Sequence, residues 1–255
     1  MRDEPGGVLF EIQRWCTDDG PGIRTTLFFQ GCPLRCRWCC NPEAWCPPPA
    51  GPGPESDPLR GRRMTAAEIV AAVERDRVFY RRSGGGVTFS GGEATGQPNL
   101  FRILATRLHN LGYHLALETC GHFPWEPNAQ ALALMDLVHL DLKHMDGEAH
   151  RRLTGQSNDL ILANALRLAE TGVPLVLRLP LIPGLNDHPD NLAETARFAA
   201  RLGNPPLQVM PYHALGVGKF RALGLAYPLE GLEPPDPGAV ARARQVLADC
   251  GAKLG

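Results

Sequence analysis

The sequence predicts an α/β fold. Six parallel strands, each followed by a helix, form a partial (β/α)6 TIM-like barrel, an open three-quarter barrel. Three observations carry this. Short apolar runs rich in β-branched and aromatic residues recur at 25–30, 86–90, 114–119, 137–143, 175–181 and 207–212 and read as buried strands. Helical patterns lie between them, at 65–80, 99–111, 127–135, 160–170 and 189–202, with a last helix at 237–250. Strand–helix alternation calls for parallel strands with right-handed crossovers, and six units are fewer than the eight that close a full barrel.

The elements carry their own punctuation. Thr65 with Glu68 three residues later makes a capping-box start. Gly112, Gly172 and Gly203 stand where helices end. The stretch from Pro47 to Pro58 is rich in Pro and Gly and reads as a surface loop. No internal repeat divides the 255 residues, so a single domain over 1–255 is expected.

Bulk composition excludes several classes. Net charge is −1, without the basic excess of a nucleic-acid-binding domain. Local clusters such as Arg60, Arg62, Arg63 and Arg81, Arg82 read as solvated surface. Met1-Arg2-Asp3-Glu4-Pro5 lacks the apolar core of a signal peptide, and no stretch approaches the roughly 20 apolar residues that cross a bilayer. A cytoplasmic protein is expected. In a reducing compartment the eight cysteines point to metal binding or chemistry rather than disulfides.

In parallel α/β folds, sites form at the C-terminal ends of strands. Here those ends carry Gly91-Gly92-Glu93, Glu118-Thr119, Asp141 with Lys143, Arg178 and His213. Directly after the first strand comes Gly31-Cys32-Pro33-Leu34-Arg35-Cys36-Arg37-Trp38-Cys39-Cys40, with the spacing C-x3-C-x2-C. A [4Fe–4S] cube normally takes four thiolates. Cys32, Cys36 and Cys39 supply three and leave one iron open to chelate a substrate. A zinc site is the rival reading, with Cys46, Cys120 or Cys250 as partners, but none of these forms a second C-x2-C pair. Cys40 adjoins the third ligand and must point elsewhere. Trp38 stacks on a ligand or fills core. Asp141 and Lys143 flank Leu142 on one strand, so both charged side chains face the same way. An ion pair is the alternative role for Arg178.

On these residues the chain resembles the activating enzymes of glycyl radical enzymes, within the radical S-adenosylmethionine (SAM) superfamily. The resemblance covers nearly the whole sequence. It includes Asp19-Gly20-Pro21-Gly22-Ile23-Arg24, Phe28-Phe29-Gln30-Gly31-Cys32, Gly84 to Glu93, Asp141-Leu142-Lys143, Pro183-Gly184 and Met210-Pro211-Tyr212-His213. It implies one [4Fe–4S] cluster on Cys32, Cys36 and Cys39. SAM would be contacted by Gly91, Gly92 and Glu93, by Asp141, Leu142 and Lys143, and by Arg178 and His213, with Trp38 and Cys40 beside the nucleoside.

The implied reaction is reductive cleavage of SAM to methionine and a 5′-deoxyadenosyl radical, which takes a hydrogen from a glycine α-carbon of a partner protein. Pyruvate formate-lyase or a relative is the implied partner. A flavodoxin or ferredoxin-type protein is the implied electron donor, and the chain is expected to be a monomer. With only Cys40 and Cys46 between Cys39 and Gly84, it lacks the ferredoxin-like insertion of many relatives.

Two residues depart from the pyruvate formate-lyase activators. Those bind a monovalent cation between strand-end acids and have an aspartate where this chain has Glu118, so Glu118 and Asp141 are cation candidates here. They have histidine where this chain has Cys40. Other readings are a radical SAM enzyme acting on a small molecule, or a zinc-stabilised binding protein without redox activity.

Overall fold

A computed structural model describes residues 4–45 and 61–255. Cys46, Arg60 and the Pro-rich stretch lie outside the described residues. The chain divides into two compact units. One is Met1–Pro33, Glu43–Thr119 and Phe123–Val138; the other is Leu34–Pro42, Cys120–His122 and His139–Gly255.

The first unit holds strands β1 (Gly6–Cys16), β2 (Arg24–Phe29), β3 (Arg62–Thr65), β4 (Gly86–Gly91) and β5 (His114–Thr119), in the order β3-β1-β2-β4-β5. β2, β4 and β5 run parallel, with Leu27 beside Phe89 and Val87 beside Leu115. Leu27, Val87, Phe89, Leu115 and Leu117 are fully buried, as parallel strands with both faces covered require. β1 and β3 were not expected. They add antiparallel strands to the edge of β2. β1 alternates apolar and polar residues from Phe10 to Gln13, and exposure alternates on to Trp15, a period-two signal of a half-buried strand rather than an apolar run.

Among the described residues, the α-helices of this unit are α1 (Ala66–Glu74), α2 (Arg77–Ser83), α3 (Pro98–Asn110) and α4 (Trp125–Leu132). The capping box of Thr65 and Glu68 is present. The single helix expected over 65–80 is split at Asp76, whose buried carboxylate turns inward and accepts from Arg14 and from Thr25 Oγ1 at 3.0 Å. Those bonds hold the carboxylate well below its ordinary pKa, the Arg14 bond most strongly.

β6 (Leu137–Asp141) begins in the first unit and ends in the second. The second unit continues with β7 (Leu175–Leu181) and β8 (Leu207–Pro211), which are parallel with Leu177 beside Leu207 and Leu179 beside Val209. Its helices are α5 (Gly147–Thr154), α6 (Asp159–Thr171), α7 (Pro189–Arg201), α8 (Gly216–Ala222) and α9 (Pro237–Asp249). α5 and α8 were not expected. Gly112, Gly172 and Gly203 all take positive φ, 76°, 76° and 83°, just past α3, α6 and α7. Among the described residues no helix is long and apolar enough to cross a membrane.

Candidate functional site

In the first unit, the end of β2 is pinned by backbone and amide bonds. Gln30 N–H donates to Val8 O at 3.0 Å, and Gly31 N–H to Ala44 O at 3.0 Å. Gln30 Nε2 donates to Glu43 O at 2.7 Å. Cys32 follows, half-buried. The turn after β4 packs onto the same segment: Gly92 N–H donates to Phe29 O and Glu93 N–H to Gly31 O, both at 2.8 Å. Gly91 has φ +108°, and a Cβ on Gly92 would stand 2.1 Å from Gly31 O. Only glycine fits this close approach.

Glu93 is buried, and its carboxylate accepts from Thr95 Oγ1 at 2.7 Å and Thr119 Oγ1 at 2.9 Å. It therefore braces the turn from inside. Glu118 is half-buried and accepts from Ser90 Oγ at 2.6 Å.

In the second unit, residues 34–42 form the cysteine loop. Arg35 N–H and Arg37 N–H donate to Thr154 O and Leu153 O at the end of α5, at 2.6 and 3.0 Å. Cys39 N–H donates to Cys36 O at 3.0 Å, which closes a tight turn between the two thiols. α8 covers the other side. Gly216 lies so close to the loop that a Cβ there would be 2.5 Å from Cys39 O, and Lys219 Nζ donates to Asn41 Oδ1 at 2.7 Å. Trp38 is buried, while Cys36, Cys39 and Cys40 are half-buried. Cys40 Sγ lies 3.9 Å from Nε2 of the exposed His213.

Lys143 is buried and donates to Asp141 Oδ2 at 2.5 Å. Burial alone would lower its pKa most. Asp141, then the thiols of Cys36 and Cys120, push the other way, and the net shift is upward. Lys143 is thus held cationic. Leu142 is buried, and its N–H donates to Arg178 O at 2.8 Å. Arg178 is half-buried on β7.

Asn186, Tyr227 and Gln97 escaped the sequence reading. Asn186 Nδ2 donates to Lys143 O at 2.9 Å and Pro180 O at 2.6 Å, while its Oδ1 accepts from Ile182 N–H. It fixes the strand-end lysine through its backbone. The buried Tyr212 and Tyr227 share a hydroxyl bond of 2.9 Å. Burial, then Tyr212, then Cys40 and Cys39 raise the Tyr227 pKa. For Asn186 the local signal was its place two residues after Pro183-Gly184.

The donor set suits a [4Fe–4S] cluster: Cys36 and Cys39 are half-buried thiols on one hydrogen-bonded loop, and Cys32, also half-buried, precedes Cys36 by four residues in sequence. Among the described residues no three or more His, Cys, Asp or Glu side chains are arranged around a single metal ion. A four-iron cube instead spreads its thiolates over separate irons. The Gly91-Gly92 turn, stripped of side chains, suits close approach of a small polar ligand.

Fold and loop together define a class, and residues 26–199 match the radical SAM superfamily. The chain is 37% identical to the pyruvate formate-lyase-activating enzyme of Staphylococcus aureus, over 93% of each chain. It is 34% identical to the isethionate sulfite-lyase activating enzyme of Nitratidesulfovibrio vulgaris, over 88% of this chain and 89% of that one. A crystal structure of a domain of pyruvate formate-lyase-activating enzyme from Bacteroides vulgatus superposes with TM-score 0.56 and 29% identity. That match covers 67% of this chain and 98% of the other. The chain belongs to the radical SAM superfamily and, within it, to the activating enzymes of glycyl radical enzymes. The α/β fold, with β2, β4 and β5 parallel in the first unit and β7 and β8 parallel in the second, is as expected for this class, and the family implies a [4Fe–4S] cluster and SAM.

Proposed function

We propose that this chain installs a glycyl radical on a pyruvate formate-lyase or a relative of it, acting as one catalytic domain with one cluster. Cys32, Cys36 and Cys39 hold the cluster. When bound, it supplies the electron that breaks a carbon–sulfur bond of SAM, giving methionine and a 5′-deoxyadenosyl radical that takes one hydrogen atom from a glycine α-carbon. The observation that carries this reading is the turn after β4: Gly92 can lie against Gly31, next to Cys32, only because it has no side chain.

The chain's residues then bind and orient. Gly91 and Gly92 offer backbone to the SAM amino group, and Glu93 stiffens their turn through Thr95 and Thr119. Lys143, paired with Asp141 beside Leu142, sets positive charge near Cys36. Arg178 meets the SAM carboxylate. Cys40 and His213 flank the nucleoside, with the buried Trp38 beside it. Holding the reactants in place is what the protein adds to cofactor chemistry.

Glu118 and Asp141 are the proposed donors to a monovalent cation. Activity that depends on the choice of sodium or potassium supports this; indifference removes it. A flavodoxin or ferredoxin-type protein is the proposed reductant, in the cytoplasm, with the chain a monomer. The test is an anaerobic incubation with SAM, reductant and a candidate pyruvate formate-lyase, read by electron paramagnetic resonance (EPR). A glycyl signal in the partner is expected. SAM cleavage without that signal, accompanied by turnover of a small molecule, would favour the small-molecule reading.

A further inference from the structure

Gln97 stands at the junction between the turn after β4 and α3. Its backbone N–H closes the turn onto Ala94 O at 3.1 Å, and its carbonyl accepts from Phe101 N–H at 3.0 Å. Its side-chain amide reaches across 67 residues of sequence to the end of β2, where Nε2 donates to Gln30 O at 2.9 Å. The same amide spans the peptide edge of β1: Nε2 donates to Val8 O at 2.7 Å, and Oε1 accepts from Val8 N–H at 2.8 Å. One orientation of the amide satisfies all three bonds. β1 makes room for it at Gly7, where a Cβ would stand 2.3 Å from Gln97 Oε1 and 2.6 Å from Leu100 Cδ2.

Gln30 lies two residues before Cys32, and Gly92 and Glu93 lie five and four residues before Gln97. Gln97 therefore ties together the segment that delivers a cluster thiol and the turn that receives the SAM amino group. We infer that Gln97 is a positioning residue, whose amide fixes the Gly91-Gly92 turn relative to Cys32 so that SAM binds in register with the cluster. This rests on the proposed radical SAM reading. A residue that acts by placement should affect binding of the ligand more than the bond-breaking step, and it should be sensitive to any change that displaces its amide.

The test compares anaerobically reconstituted wild type, Q97E, G7A and T65A. Q97E keeps the shape and the acceptor for Val8 N–H but loses both donated bonds. G7A displaces the amide from the opposite side and leaves Gln97 intact. T65A removes the capping box of α1 and so reports on lost stability without touching Gln30. Iron content, the EPR spectrum of the reduced protein with and without SAM, and the KM and kcat of SAM cleavage are measured.

Q97E and G7A are each expected to raise the SAM KM about tenfold while kcat changes less than threefold. The SAM-induced change in the EPR spectrum should saturate only at correspondingly higher SAM. T65A should lower the melting temperature with KM unchanged. SAM affinity within twofold of wild type in both Q97E and G7A would overturn the inference, as would an equal KM change in T65A. Should Q97E fail to fold, G7A alone decides. A wild type that binds no iron or cleaves no SAM would instead sink the underlying reading, and that result is visible before any variant is made.

Discussion

At the scale of single residues, chemistry is set by what the side chains are prevented from doing. Gly92 is the sharpest case, because a Cβ would fall 2.1 Å from the Gly31 carbonyl oxygen. Relief needs a backbone shift in the turn or beside Cys32, and such overpacking costs roughly 1–3 kcal/mol. Gly92→Ala is therefore expected to weaken SAM binding on the order of 10- to 100-fold while iron content stays near that of wild type. Equilibrium binding on the reconstituted protein measures this, and unchanged affinity would refute it. Glu93 differs in kind. Its carboxylate is held inside by Thr95 and Thr119, so Glu93→Gln should act through the turn. Thr119→Val, which removes one of those donors, should reproduce part of its loss in SAM binding. An unaffected Thr119→Val would disconnect Glu93 from the turn.

At the scale of elements, Asp76 shows how one acid reshapes a helix. The periodicity from Thr65 to Tyr80 reads as continuous, yet the Asp76 carboxylate serves β1 and β2 through Arg14 and Thr25, and α2 begins afresh at Arg77. Its folded pKa lies below the unfolded value. The stability it contributes is thus fully present above the ordinary carboxylate pKa of about 4 and is lost as pH falls through the lower folded value. Asp76→Asn should lower the melting temperature at pH 7 by about 3–10 °C. It should also lose less further stability than wild type between pH 5 and pH 3. Melting curves at these pH values decide it; parallel acid losses would contradict the assignment.

The same scale shows what was legible in the sequence. The six strands stood out because they carry short apolar runs, as in Leu175–Leu181. β3, Arg62–Thr65, is a short, mostly polar strand paired with β1, with no apolar run to mark it in the sequence. α5, GEAHRRLT, is mostly polar but sets Ala149 and Leu153 four apart on its buried face; that spacing and its Asp146 cap, bonded to Ala149 N–H at 2.7 Å, were the available clues.

At the scale of the whole molecule, each unit brings together residues far apart in sequence, and that limits what sequence alone conveys. The cysteine spacing is local and could be read directly. The bond from Gln97 to Gln30, from Asn186 to Lys143 and the approach of Cys40 to His213 depend on tertiary placement, and no spacing rule announces them. Removal of the cluster should be felt by the chain as well as by its activity, since a ligand bound to the folded state alone stabilises it. Iron chelation under anaerobic conditions is expected to abolish SAM cleavage and lower the melting temperature, and iron and sulfide should restore both. Cleavage that survives complete iron removal would contradict the cluster.

The most direct measurement is 5′-deoxyadenosine formed per chain by anaerobically reconstituted C32A, C36A, C39A and C40A. Three thiols on a C-x3-C-x2-C loop, with the fourth turned toward His213, predict a sharp division. C32A, C36A and C39A should fall at least about a hundredfold below wild type with depleted iron, while C40A keeps its iron and stays within about tenfold. Wild-type turnover in any of the first three, or loss of the cluster in C40A, would contradict the ligand assignment on which the account stands.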